Sequence, residues 1–365
     1  MRVFIAEKPS LARAIADGLG NGQKKAGYIS CGQDVVTWCV GHLLELAPPE
    51  TYDPAFKKWD RSLLPIIPDS WKTSPIPRTA DQLKVIGDLL KKADFAVNAG
   101  DPDREGQLIV DEVLEQFHFR GKVERIWLAS LDERSVAKAL SSLSDNAKHA
   151  SLRDAARARS RADWLVGLNA TRALTLLGRE SGFDSVLSLG RVQTPTLNLV
   201  VTRDREIAAF KPKDYFTLKA RFAHPSGTFS GVFMPSDEQP GLDADGRLTD
   251  AAVVNSLFQN VRGKNGSITA VTREKKKKAP PLPHCLSSLQ KAASARLDMT
   301  AQQVLDTAQK LYESKLSTYP RTDCRYLPEE QFDDAGRILT CLIGVEHAAV
   351  NADAKLKSAA WNTGK

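Results

Sequence analysis

The stretch Phe95-Ala-Val-Asn-Ala99, closed by Gly100 and followed at once by Asp101-Pro-Asp-Arg-Glu-Gly106, does most to limit the fold. Five apolar or small residues ending at a glycine read as a buried strand that delivers a polar loop at its carboxyl end. The amino terminus repeats the arrangement. Arg2 to Ala6 reads as a short buried strand, Glu7 and Lys8 follow it, and Ser10 can cap a helix through Leu11, Ala14, Ile15 and Leu19. Val35 to Val40 and Val123 to Leu128 read as further strands. Helices are expected through Leu83, Ile86, Leu89 and Leu90 and over Gln107 to Phe117, with proline-rich loops filling Pro48 to Pro77. Strands alternating with helices predict a parallel or mixed α/β sheet domain over residues 1–150. Open sheets of this kind bind ligands beyond the carboxyl ends of their strands, where Glu7, Lys8 and the acidic loop fall.

Asp101, Asp103 and Glu105 place three carboxylates within six residues. Like charges so close raise one another's pKa unless a cation sits among them. Magnesium suits such a set, because it takes one or two protein carboxylates and keeps sites for water and substrate phosphate. The bland alternative is a solvated acidic turn. The spacing also imitates a calcium-binding EF-hand loop with Glu112 at its twelfth place. That reading fails because a strand, not a helix, precedes the loop, and because Pro102 and Glu105 fit the pattern poorly.

From Ser151 the chain turns helical and basic, with Arg153, Arg157, Arg159 and Arg161 before Asp163-Trp164-Leu-Val-Gly167. Such a run is most often a solvated face, and Arg161 is the expected nucleic-acid contact among them. The helix continues through Thr171 to Leu177, with Gly178 as its expected cap. Ser188-Leu189-Gly190-Arg191-Val192-Gln193 then offers a hydroxyl, a guanidinium and an amide on a glycine turn, chemistry suited to phosphate and sugar. Residues 151–213 thus form a helical part. From Asp214 the period falls to two at Phe216, Leu218, Ala220 and Phe222. Short strands are expected at Thr228 to Met234 and Ser267 to Val271, with a helix near Ala251 to Phe258, giving a β-rich part over 214–278. Lys275 to Lys278 and Pro280-Pro-Leu-Pro283 read as a hinge into a last helical part, 279–365.

That last part holds Leu316-Ser-Thr-Tyr-Pro-Arg-Thr-Asp323. Thr300-Ala-Gln-Gln303 is a capping box that opens a helix with Val304, Ala308, Leu311 and Tyr312 on one face. Pro320 keeps Tyr319 out of helical geometry, so the tyrosine belongs on an extended turn after the helix. A phenol is a weak nucleophile at its free pKa near ~10, and phosphorus chemistry asks for a cation such as Arg321 beside it.

With 51 Lys and Arg against 44 Asp and Glu, the chain carries a net charge of +7, which favours a polyanionic partner. No apolar run approaches the roughly 18 residues of a membrane helix. Glu7 and Lys8 interrupt what a signal peptide would keep apolar. Five scattered cysteines without a C-x-x-C pair point to a reducing, cytoplasmic setting and away from a zinc ribbon.

Four motifs, spread in order along the whole chain, resemble those of type IA DNA topoisomerases, the topoisomerase III branch especially. Phe4-Ile-Ala-Glu-Lys-Pro-Ser10 and Asp101-Pro-Asp-Arg-Glu-Gly106 are similar to that family's toprim module. Ser188-Leu-Gly-Arg-Val-Gln-Thr-Pro195 resembles its DNA-contact segment, and Thr318-Tyr-Pro-Arg-Thr-Asp-Cys-Arg-Tyr-Leu-Pro328 its active-tyrosine segment. The resemblance implies a toroid of toprim domain, helical domain, β-rich arch and tyrosine domain. It also implies ATP-independent cutting of single-stranded DNA through a 5′-phosphotyrosine ester, strand passage and rejoining, in a bacterial, nucleoid-associated setting. By motif, Tyr319 is the nucleophile, Arg321 holds the phosphate, and Lys8 steadies the transition state. Glu7 acts as acid or base and shares Mg2+ with Asp101, Asp103 and Glu105.

Members of that family continue well past the tyrosine and carry a histidine-containing segment there. The sequence in hand ends at Trp361-Asn-Thr-Gly-Lys365. An incomplete toroid is therefore the expectation, with the parts needed for cutting present. Two other classes fit some of the residues. A magnesium-dependent nuclease or primase-like toprim enzyme needs the acids but not Tyr319, and an inactive DNA-binding relic needs only the basic surface.

Overall fold

The computed structural model describes residues 1–20, 22–327 and 329–362. Pro328, which closes the tyrosine motif, and residues 363–365 of the final stretch lie outside the described residues. The chain divides into two compact units, one made of Met1–Gln193 with Ala279–Lys365 and the other of Thr194–Lys278.

In the first unit, the elements run β1 (Arg2–Ala6), α1 (Pro9–Leu19), β2 (Gly22–Lys25), β3 (Tyr28–Cys31), β4 (Asp34–Trp38), β5 (Leu44–Leu46), β6 (Thr73–Pro75), α2 (Ala80–Leu90), β7 (Phe95–Ala99), α3 (Arg104–Gln116), β8 (Lys122–Arg125), α4 (Glu133–Ser141), β9 (Ser144–Asp145) and α5 (Ala150–Glu180). Seven strands form one mixed sheet in the order β2-β3-β4-β1-β7-β8-β9. The β4, β1, β7 and β8 core is parallel, and the strands outside it pair antiparallel. Central β1 is buried from Val3 to Ala6, as a strand covered on both faces must be. Alternation splits it: Phe4 and Ala6 pack with α1 residues Leu11 and Ile15, while Val3 and Ile5 pack with Ile86 of α2 and Val113 of α3. The sheet expected up to about residue 150 is therefore present, and strand β7 does precede the acidic loop.

Several local expectations need correction. Helix α1 starts at Pro9 with Lys8 as its cap residue and no side-chain cap, so Ser10 lies within the first turn. Proline is pre-set for that first position. Helix α3 starts earlier than Gln107, because the Asp103 carboxylate accepts from Gly106 N and caps it. Gly178 is not a cap; it is buried inside α5, where a Cβ would lie 2.6 Å from the Leu187 side chain. The Pro48 to Pro77 region is more ordered than a loop, with one-turn helices at Pro49–Thr51, Pro54–Lys57 and Arg61–Leu63 and a ribbon of β5 with β6.

The second unit holds all but the first residue of α6 (Gln193–Ala208), with β10 (Lys219–His224), β11 (Gly227–Val232) and α7 (Ala251–Val261). Strands β10 and β11 form an antiparallel hairpin with Phe222 stacked on Phe229, ring centroids 5.1 Å apart. Ser267 to Val271 is not a strand, since among the described residues it finds no pairing partner.

The chain then returns to the first unit with α8 (Leu286–Leu297), α9 (Ala301–Glu313) and α10 (Ala335–Leu342). The capping box at Thr300 and Gln303 forms on both sides. Val304, Ala308 and Tyr312 are buried on one face, but Leu311 is 42% exposed, because it lies one residue off the buried stripe. Among the described residues no helix is long and apolar enough to cross a membrane.

Candidate active site

The site is built where β1 and β7 end side by side, since Ala6 pairs with Ala99. Glu7 Oε2 accepts from Asp101 N at 3.1 Å, so the first acid clamps the turn that carries the second. This turn needs two glycines. A Cβ on Gly100 would meet the Gly106 carbonyl oxygen at 2.0 Å, and one on Gly106 would meet Asp101 N at 2.5 Å and Glu7 Oε2 at 2.7 Å.

Beneath the turn lies Arg125, fully buried at the end of β8. Its Nη1 donates to the carbonyls of Asn98, Gly100 and Ile126, its Nη2 to that of Asp101 at 2.8 Å, and its Nε to Gln107 Oε1. Burial lowers its pKa to about 10, opposed by Asp111 and the site acids. Asp111 supports the network through Asn98, Gln107 and Asn146. Sequence reasoning passed over Arg125. Its signal was a cation next to Ile126 in a stretch expected to be a buried strand, and Lys122 and Glu124 beside it obscured that signal.

The four acids have separate fates. Asp101 is 1% exposed, and Lys8 Nζ pairs with its Oδ2 at 2.6 Å. Burial raises the Asp101 pKa while Lys8 opposes the rise. Its Oδ1 is buried with no hydrogen-bond partner. Glu7 is pushed up to about 7 by burial and then by Asp101, against the pull of Lys8. Asp103 is divided: Oδ1 caps α3, and Oδ2 accepts from the Tyr319 hydroxyl at 2.7 Å. Glu105 turns outward to Arg159 at 3.4 Å and Arg104 at 3.6 Å.

Tyr319 reaches the acids from the far end of the chain. Helix α9 stops at Glu313, the chain extends, and Tyr319 N donates to Ala129 O at 2.9 Å. The ring is 5% exposed and meets Tyr312 edge-on, with centroids 5.6 Å apart. Both rings join the core cluster of β1 and α1, and Lys8 Nζ lies 5.7 and 5.8 Å from their centroids. Burial, then Asp101 and Asp103, hold the Tyr319 phenol well above its usual pKa, as a neutral donor. Arg321, two residues on, is exposed.

Asp101 Oδ1 has no partner although Lys8 holds Oδ2, and burial with Asp101 keeps Glu7 raised, so a further cation would relieve both acids. Hard oxygen donors suit magnesium, so Glu7 and Asp101 fit a divalent ion. Asp103 and Glu105 are occupied by other partners, and among the described residues no three His, Cys, Asp or Glu side chains converge as a ready metal site.

The basic helix α5 divides its arginines. Arg157 Nη2 donates to both carboxylate oxygens of Glu115, at 2.8 and 2.7 Å. Arg161 lies over the Trp71 ring at 5.2 Å, in a cavity shared with Leu44, Leu46 and Arg157, and its Nε is buried without a partner. Arg159, by contrast, points at the acidic loop through Glu105 and also pairs with Asp163 at 3.7 Å. Arg191 grips Asp163 at 2.7 and 3.2 Å. Ser188, Val192 and Gln193 are exposed, and Leu189 and Gly190 are half-buried. Two threonines one helical turn apart fasten this segment: Thr175 Oγ1 accepts from Leu187 N, and Thr171 Oγ1 accepts from Leu189 N. Neither threonine was singled out from sequence for this role.

A mixed α/β sheet with an acidic loop after β7, its third parallel strand, is the arrangement of a toprim domain, and here a tyrosine from a distant helical segment meets that loop. Residues 2–131 match the Toprim domain and residues 147–365 the DNA topoisomerase family, and the chain belongs to the type IA DNA topoisomerases. Several curated relatives that it matches are topoisomerase III enzymes. DNA topoisomerase 3 of Vibrio cholerae is 46% identical over 100% of this chain and 59% of its own length. That of Haemophilus influenzae is 46% identical over 94% of this chain and 55% of its own length. Full-length topoisomerase I from Thermotoga maritima shares the fold, with a TM-score of 0.63 at 24% identity over 94% of this chain and 53% of that one. The chain spans little more than half the length of these relatives.

Proposed function

We propose that this chain carries the cutting centre of an ATP-independent DNA topoisomerase that opens single-stranded DNA through a 5′-phosphotyrosine ester, with Tyr319 as nucleophile. The observation that supports it most is the Tyr319 hydroxyl on Asp103 Oδ2, beside the Lys8 and Asp101 pair. In the step, Tyr319 Oη bonds to phosphorus and the bond from phosphorus to the sugar 3′ oxygen breaks. The phenol proton passes to Asp103 Oδ2, the atom it already faces, as the new bond forms. The 3′ oxygen leaves with a proton from Glu7, whose pKa of about 7 lets it carry one at neutral pH. Lys8 and Arg321 supply positive charge to the phosphate oxygens. One ester replaces another of similar free energy, so the freed hydroxyl can reverse the step without ATP.

Glu7, once it has given up its proton, and Asp101 would hold Mg2+, with Asp103 and Glu105 completing the set once their present partners leave. The ion supplies Lewis-acid neutralisation of phosphate charge. Ser188 to Gln193 and Arg191 line the strand's approach, and Arg161 offers a further phosphate contact in its own cavity. The four-part division at 150, 213 and 278 and a bacterial, nucleoid-associated setting go with this reading. The test is a denaturing gel after mixing with a single-stranded oligonucleotide. Wild type should give a covalent adduct and Tyr319→Phe none. Metal-dependent cutting without any adduct would favour a toprim nuclease instead.

A further inference from the structure

Arg104, Arg159 and Arg191 line one open cavity of about 470 Å³ with Ala158, Ala162 and Val192, next to the acidic loop. Three guanidinium groups around small side chains form a cradle for phosphates. Two carboxylates already pair with its arginines. Asp163 lies in the fork of Arg191 and touches Arg159 across one helical turn, while Arg159 also reaches Glu105. All four groups in this chain of pairs are 36 to 43% exposed, so each contact is weak and readily exchanged. A phosphodiester presents the same two-oxygen face to a guanidinium as a carboxylate does.

We infer that Asp163 and Glu105 are built-in stand-ins for DNA phosphates, displaced when a single strand enters this cradle. This rests on the reading of the chain as a DNA-cutting enzyme and deepens it. Displacement has two consequences. Asp163 competes with the strand for Arg159 and Arg191, which sets affinity below what three free arginines would give and lets the strand leave. Glu105, freed from both Arg159 and Arg104 when a strand takes their charge, becomes available to the Glu7 and Asp101 pair only while that strand is in place. Asp163 is thus a positioning residue that tunes binding, and Arg159 links strand entry to the acidic loop.

The experiment is fluorescence anisotropy with a labelled single-stranded oligonucleotide at low salt. Asp163→Asn removes the competing charge at an exposed position and should tighten binding about two- to fivefold, the worth of one or two exposed ion pairs. Asp163→Glu, which restores the charge, should return affinity to the wild-type value. In an Arg191→Gln background the gain from Asp163→Asn should shrink to the share that Arg159 carries, whereas a general structural effect would persist there in full. Unchanged or weaker binding by Asp163→Asn, with adduct formation intact, overturns this inference alone. Wild-type protein that binds no single strand overturns it together with the functional reading.

Discussion

Tyr319 and Asp103, 216 positions apart in the chain, meet through a 2.7 Å hydrogen bond in which the phenol donates. The same carboxylate caps α3 with its other oxygen. One side chain therefore fixes the start of the helix that follows the acidic loop and receives the nucleophile. The consequence is a poised but resting centre. The phenol is neutral, buried and held against carboxylates that oppose its ionisation. A phosphate with its attendant cations would reverse that local charge balance.

Tyr312 tests how much of the docking is packing. Its ring is fully buried beneath Tyr319, but its hydroxyl has no hydrogen-bond partner. An unsatisfied buried hydroxyl costs about 1–3 kcal/mol. Tyr312→Phe keeps the ring contact and should leave thermal stability equal or higher, with adduct formation retained. A clear fall in melting temperature would show that the hydroxyl has a partner after all.

Glu7 gives a stability effect with a definite sign. Its folded pKa is raised from 4.5 to about 7, so its contribution is fully present below 4.5 and is lost as pH rises through about 7. Glu7→Gln removes the ionisation. The variant should match wild type in thermal unfolding near pH 4 and be the more stable of the two at pH 8. A variant less stable than wild type at pH 8 would mean that the ionised carboxylate is stabilised in the folded protein.

Arg125 should be the least replaceable buried residue near the site. Lysine keeps the charge but cannot reach four carbonyls and Gln107 from one planar group. Arg125→Lys should cost about 3 kcal/mol or more in denaturant unfolding. It should also weaken adduct formation by loosening the Gly100 to Asp101 turn. Wild-type stability would show that the carbonyls find other donors.

What sequence revealed, and what it hid, follows the range of the interactions. β1, β7 and the capping box at Thr300 are local, set by apolar runs and by residues three apart, and they formed where expected. The two glycines of the acidic loop were visible as letters, but their need comes from the approach of Gly106 to Asp101 and Glu7. Arg125, Thr171 and Thr175 act on segments twelve to twenty-seven positions away, and no periodicity marks them. The basic run on α5 showed that arginines were present but not where each pointed. Arg161, singled out there, sits over Trp71, and it is Arg159 that faces the acidic loop. A two-residue step, about 200° around the helix, decides that, and only the packing of α5 against its neighbours fixes the phase.

The central claim, that Tyr319 is the atom donor to DNA, is tested most directly by mass spectrometry of a trapped reaction. Trypsin should release Leu316 to Arg321, a peptide bounded by Lys315 and Arg321 with Tyr319 as its sole phenol. After reaction with a single-stranded oligonucleotide and nuclease trimming, the account predicts that peptide with a nucleotide joined through its 5′ phosphate to Tyr319. A nucleotide on any other residue, or one joined through its 3′ phosphate, would contradict it.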